Sequence, residues 1–233
     1  MFSENLRESL DLSLFWEYRV ILLKGLEFNF YAFAGAAGLA LVMGLLACLA
    51  RLGRPRLLAG LAAGYAEVFR NAPEYVLLVW VHYVPPLLIG LALGRKLSFA
   101  PLFSAILALG LAYSGYMAET FRAGIQSVPR GHVEAAEALG MTRLLVLRRI
   151  LLPQAFRQML PEMLNQAVSL FKATTLVSLI AVPDLMYNVS MITSQEMRPL
   201  PLYTGAALVY CAIIFCFATL VRLFGDRWRA RYL

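Results

Sequence analysis

The sequence predicts an all-α integral membrane protein with about five spans, its N-terminus outside and its C-terminus in the cytoplasm. Three observations carry this. Apolar residues make up 61% of the 233 positions, with a mean hydropathy of +0.69, well above the roughly half-apolar content of soluble domains. The excess is gathered into runs of the roughly 20 residues that a bilayer-spanning helix needs. The basic residues, in turn, fall between these runs in an uneven pattern.

The runs lie near Phe28–Ala50, Tyr75–Gly94, Ala100–Ala118, Met163–Val182 and Tyr203–Phe224. Ala59–Phe69 reads as a helical lead-in to the second. Residues 1–27 form an N-terminal segment, and Leu10–Glu27 mixes apolar and charged positions as a helix lying in the interface does. Glu4, Arg7, Glu8, Asp11, Glu17 and Arg19 interrupt any signal-peptide core there. Pro85 and Pro86 remove two backbone donors, which predicts a kink or break in the second span. The membrane domain covers 28–224, and 225–233 reads as a cytoplasmic tail.

Orientation follows from the arginines, which favour the cytoplasmic side. Arg51, Arg54 and Arg56 follow the first span. Arg122, Arg130, Arg143, Arg148, Arg149 and Arg157 lie between the third and fourth, and Arg222, Arg227, Arg229 and Arg231 close the chain. Alternation then puts Arg95 and Lys96 outside, against the trend. The net charge of +7 is what cytoplasmic loops produce, and no basic-aromatic stripe points to nucleic acid. Cys48, Cys211 and Cys216 all lie in apolar runs without a Cys-x-x-Cys pair and read as packing residues.

The most charged stretch, "GHVEAAEALGMTRLLVLRRILLPQA" (Gly131–Ala155), interrupts the apolar pattern. Strong helix formers fill Val133–Leu139, and Gly140 is a natural C-terminal stop. Thr142 can cap a second helix over Arg143–Leu151, and Pro153 limits its continuation. Leu139, Met141, Leu144 and Leu147 supply an apolar surface beside the corner. By itself this describes a short amphipathic hairpin on the membrane surface.

Its spacing says more. Glu134-Ala135-Ala136, three residues, Gly140, nine residues, Ile150, one residue, Leu152 and Pro153 resemble the EAA loop of bacterial ATP-binding-cassette (ABC) importer permeases. "YMAETFRAGIQSVPRGHVEAAEALGM" (Tyr116–Met141) and "LPQAFRQMLPEMLNQAVSLFKATTLVSLI" (Leu152–Ile180) resemble the members that carry polar amino acids, and "VFRNAPEYVLLVWVHYVPP" (Val68–Pro86) does so more loosely. The likeness runs from about Leu22 to the C-terminus. It departs at His132, where the family usually has Gln. Asn71-Ala72 stands where Gly-Thr is common, and Ala173 where Asp usually follows the lysine.

The resemblance implies a type I ABC importer permease fold in the bacterial cytoplasmic (inner) membrane. Two permease chains, identical or related, would form the channel within the membrane lipid. ATPase subunits would dock on the cytoplasmic face, and a periplasmic or lipid-anchored solute-binding protein would deliver solute. The loop at about 119–160 would couple to the ATPase through Gly131, Glu134, Ala135, Ala136, Gly140, Ile150, Leu152 and Pro153. ATP and Mg would be bound by the partner; this chain would need no cofactor. Consistently, the sequence has no Gly-x-x-x-x-Gly-Lys-[Ser/Thr], no His-Glu-x-x-His and no Gly-x-Ser-x-Gly, so no catalytic residue or metal ligand is assigned.

Within the fourth span Asn165, Ser169, Lys172 and Thr175 recur at spacings that share one broad helix face. A charge there costs about a few kcal/mol and faces a cavity or a partner. Lys172 therefore has two readings. It lines the path and meets a solute carboxylate, or it pairs with Glu119 or Asp184 or caps carbonyls as structural glue. The resembling family often has Lys here whatever amino acid it carries, which favours a shared role over side-chain choice. Glu119 and Arg122, three apart, form either a local helix pair or a relay from the loop to the third span. His82, a lone histidine in an apolar helix, reads as a packing residue.

The acidic-amino-acid permeases give the nearest likeness over Val68–Pro86 and the fourth span, so glutamate or aspartate is the first expectation for cargo. A cationic amino acid, an opine or ectoine is the alternative. A stand-alone channel or secondary transporter is the competing class, but such proteins show internal repeats or intramembrane acid-base chains, and neither is evident.

Overall fold

A single 34-residue helix, α2 (Arg19–Leu52), dominates the first quarter of the computed structural model, which describes residues 12–53 and 55–230, with side chains through 219. A short helix precedes it, α1 (Ser13–Glu17). The order continues α3 (Arg56–Asn71), α4 (Glu74–Ala92), α5 (Pro101–Gln126), α6 (Arg130–Ala138), α7 (Arg143–Val146), a π-helical turn (Leu147–Leu151), α8 (Leu152–Ala173), a 3-10 turn (Thr174–Ile180), α9 (Leu185–Glu196) and α10 (Pro199–Ala230). Among the described residues five helical stretches are long and apolar enough to cross a membrane, in α2, α4, α5, Arg143–Ile180 and α10. The acidic residues before Leu12, Arg54, Arg231 and the side chains of Arg222, Arg227 and Arg229 lie outside what is described.

Several expected boundaries move. No break separates Glu27 from Phe28, because α2 starts at Arg19 and runs through. The lead-in to the second span is a separate helix, α3, ended at the extended Ala72 and Pro73. Pro85 and Pro86 do not break α4; in a membrane-spanning helix the carbonyls they free can be satisfied from other groups. Pro153 does not end its helix either. Its ring would crowd the carbonyl four residues back, and the π-helical turn immediately before it widens the backbone there.

The chain falls into two compact units. One comprises the chain up to Ala36, Pro73–Gly110 and Val168–Thr219. Its core is a cluster of Leu14, Leu22, Phe171, Leu185, Val189, Ile192, Leu202, Ala206 and Tyr210. Thus α1 is tied in by Leu14, and Tyr18 donates its hydroxyl to Glu196 at 2.7 Å.

A buried polar knot sits within this unit. Asn29 of α2 is fully buried. Its amide nitrogen lies 3.0 Å from Asp184 Oδ2, 3.2 Å from the Thr174 carbonyl and 3.3 Å from Thr174 Oγ1. Asp184, also fully buried, caps α9 by accepting from the Tyr187 N–H at 2.8 Å. The approach of α2 to this cap requires Gly25, where a Cβ would come within 2.6 Å of the Asp184–Leu185 peptide.

The second unit comprises Ala37–Ala72, Leu111–Ala167 and the chain from Leu220. Small residues set its packing. Ala47, Ala66 and Ala118 are buried against one another with Tyr65 alongside, letting backbones approach closely where little apolar driving force separates protein from lipid. Tyr65 and Ser114 hydroxyls bond across α3 and α5 at 2.6 Å.

Candidate functional site

The coupling segment is built around one corner. Gly140 has φ +79°, the left-handed region that glycine enters without the Cβ penalty. The Gly140 N–H donates to the Glu137 carbonyl at 2.9 Å and the Met141 N–H to the Ala136 carbonyl at 3.1 Å. These two bonds are the Schellman arrangement that stops a helix and reverses the chain. Thr142 follows in extended conformation as the expected N-cap residue of α7, but its side chain makes no capping bond.

The corner faces outward. Leu139 is 83% exposed and Leu144 72%, while Leu147 and Leu152 are less so and Met141 is half-buried. Gly131, Glu134, Ala135 and Gly140 are exposed, whereas Ala136 is buried and Ile150 and Pro153 are half-buried. The first alanine of the motif therefore meets solvent and the second packs inward. Glu134 and Glu137 line a cleft of about 710 Å³ with Ile125, Arg130, Val133 and Leu151. His132 Nδ1 lies 2.9 Å from Gln154 Oε1; with the amide oxygen accepting, the ring donates and ties α6 to α8.

Glu119 and Arg122 do pair, and the structure adds a third member that sequence reading missed. Glu119 Oε2 accepts from Arg51 of α2 at 2.8 Å, while Arg122 Nε reaches both carboxylate oxygens at 3.1 Å. Arg122 also bonds to Gln126. Arg51 and Glu119 are both under one-third exposed, so solvent screens the triad only partly. Glu119→Ala would leave two guanidinium groups side by side without a counter-charge. The expected cost is about 1–3 kcal/mol, read as a lower unfolding temperature of the purified protein, with Glu119→Gln intermediate. An unfolding temperature equal to wild type would show that the triad stabilises nothing.

On α8, Asn165, Ser169 and Lys172 are each exposed, and Thr175 follows half-buried in the 3-10 turn. The turn is held by hydroxyls bonding back three residues: Thr174 to the Phe171 carbonyl at 2.7 Å, Thr175 to Lys172 at 2.9 Å and Ser178 to Thr175 at 3.0 Å. Asp184 is taken by Asn29 and the α9 cap, and Glu119 by the two arginines. The Lys172 ammonium has no ion pair among the described residues. His82 is satisfied by Ser104 Oγ at 2.9 Å, in keeping with a packing role.

A family described as "Binding-protein-dependent transport system inner membrane component" matches residues 29–230. The chain belongs to this family. It is thus a multi-pass membrane permease component of an ABC importer. It is 36% identical over 178 residues to the nopaline transport system permease protein NocM of Agrobacterium fabrum, covering 75% of this chain and 74% of that protein. It is 33% identical over 201 residues to the glutamate/aspartate import permease protein GltK of Escherichia coli, covering 86% and 90%. Among solved structures, one described as an amino acid ABC transporter with histidines superposes with a TM-score of 0.85 at 28% identity, covering 94% of this chain and 99% of that one. The all-helical type I ABC importer permease fold follows from this match.

Proposed function

We propose that this permease serves an ATP-driven importer of polar amino acids in the bacterial inner membrane, with its N-terminus outside and C-terminus inside. The carrying observation is the Gly140 corner: a hydrogen-bonded reversal with Leu139 and Leu144 bare on either side is a docking element awaiting a groove. Its occupant is a separate ATPase subunit. A second permease chain, identical or related, completes the channel, and a solute-binding protein delivers cargo. Copurification with an ATPase subunit and loss of uptake on ATP depletion test this. Uptake that survives ATP depletion with an ion gradient intact would instead mean a secondary transporter.

For cargo, the reading favours an acidic amino acid, glutamate or aspartate. Lys172 is an exposed ammonium without a counter-charge among the described residues, so a carboxylate-bearing solute is its natural partner. An arginine-type amino acid or an opine also carries a carboxylate, as would ectoine, and relatives carrying opines and glutamate match comparably well. Lys172→Gln is expected to lower uptake at least about tenfold, the value of a charge-assisted hydrogen bond, while Lys172→Arg retains most of it. Glutamate, arginine and octopine uptake measured side by side in proteoliposomes ranks the cargo. Undiminished uptake by Lys172→Gln would remove this residue from the path.

A further inference from the structure

Arg95 and Lys96 are the two cations that run against the charge pattern of the other loops, and the structure gives them a setting. α4 ends in a second Schellman reversal: Gly94 has φ +64°, its N–H reaches the Leu91 carbonyl at 3.3 Å, and the Arg95 N–H donates to the Gly90 carbonyl at 3.0 Å. The chain is thereby folded back onto its own helix. The approach is so close that a Cβ at Gly90 would lie 2.7 Å from the Arg95 carbonyl oxygen. The result is a cleft of about 680 Å³ lined by Leu87 and Leu91 of α4 and by Arg95, Lys96 and Ser98 of the chain that follows it.

The helix and the chain after it bring different chemistry to the cleft. Leu87 and Leu91 are 60% and 72% exposed on an apolar helix long enough to span a bilayer. Arg95 and Lys96 are exposed and have no ion pair among the described residues, and no carboxylate lines the cleft. Adjacent cations at the end of a spanning helix, next to a bare apolar wall, complement an amphiphile with a negative head. We propose that this cleft binds an anionic phospholipid, its phosphate against Arg95 and Lys96 and its acyl chain along Leu87 and Leu91. A free phosphate would leave the apolar wall unused. An acidic protein loop would meet it only at the rim.

The importer complex, purified and delipidated, is titrated with phosphatidylglycerol or phosphatidylcholine, and bound lipid is counted by native mass spectrometry. Wild type is expected to retain phosphatidylglycerol over phosphatidylcholine, undisturbed by millimolar inorganic phosphate. Arg95→Gln/Lys96→Gln should weaken retention about tenfold or more, given the roughly fivefold that each cation near an anionic surface supplies. Arg95→Lys/Lys96→Arg, which keeps both charges, should bind like wild type, and Leu91→Asp should lose the lipid by removing the apolar wall. Equal retention by wild type and the double Gln variant would overturn the proposal. So would equal retention of the two lipids, or displacement by phosphate. Unchanged lipid retention with lost response to the solute-binding protein would overturn it in favour of a protein partner.

Discussion

Gly140→Val is expected to abolish uptake while the chain still accumulates in the membrane. At φ +79° a side chain raises the backbone energy by roughly 1–2 kcal/mol, and β-branching adds to this. The cost is purely conformational, because a Cβ on Gly140 would meet nothing within 4 Å. The helix end therefore relaxes by opening its two reversal bonds, which swings Leu139 and Leu144 away from each other. Little else depends on this corner for packing, since both leucines are bare. Damage should fall on docking and spare folding. Gly140→Asn, which tolerates the left-handed region better, should retain a measurable part of the uptake. Uptake rate and membrane abundance, measured together with the amount of copurifying ATPase, separate these outcomes. Normal uptake by the valine variant would remove the corner from the coupling path.

The corner is legible in the sequence because its signals are local: a run of helix formers closed by one glycine, Gly140, within a single short stretch. The spans were legible for the same reason, since hydropathy sums over neighbours. What stayed hidden is non-local or compensated. Arg51 joins Glu119 across 68 positions and Asn29 meets Asp184 across 155, and neither pairing leaves a trace in spacing. A lone asparagine in an apolar span was the available hint for the second, as polar groups there seek partners. The local proline rule predicts a stop at Pro153 and a kink or break at Pro85–Pro86. The backbone answers in one case with a π-helical turn and in the other by continuing the helix. Ala181 adopts a left-handed conformation at φ 61° with no glycine to announce it, so the apolar run continues to Val182 while the helical backbone stops at Ile180.

The other large effect is expected at Asp184. Asp184→Ala removes the side-chain cap of α9 and takes the carboxylate acceptor from one N–H of the fully buried Asn29 amide, whose other donor stays on Thr174. Loss of an N-cap costs about 1 kcal/mol, and a buried donor left unpaired about 1–3 kcal/mol. Asn29 also reaches Thr174, and its Oδ1 lies 3.4 Å from both the Leu185 N–H and the Tyr210 hydroxyl, so the defect propagates to the 3-10 turn and to α10. A total of about 2–4 kcal/mol follows, enough to deplete the folded chain from the membrane given the marginal stability of proteins. Asp184→Asn keeps an oxygen for the cap and should recover about half. Asn29→Ala should lose a similar amount, and the double variant less than the sum, because each single change already removes the bond the two share. Unfolding temperatures and membrane abundance of the three variants measure this. Strict additivity would mean that Asn29 and Asp184 act independently, and wild-type stability of Asp184→Ala would mean that the apolar cluster around Leu185 and Val189 holds α9 without the knot.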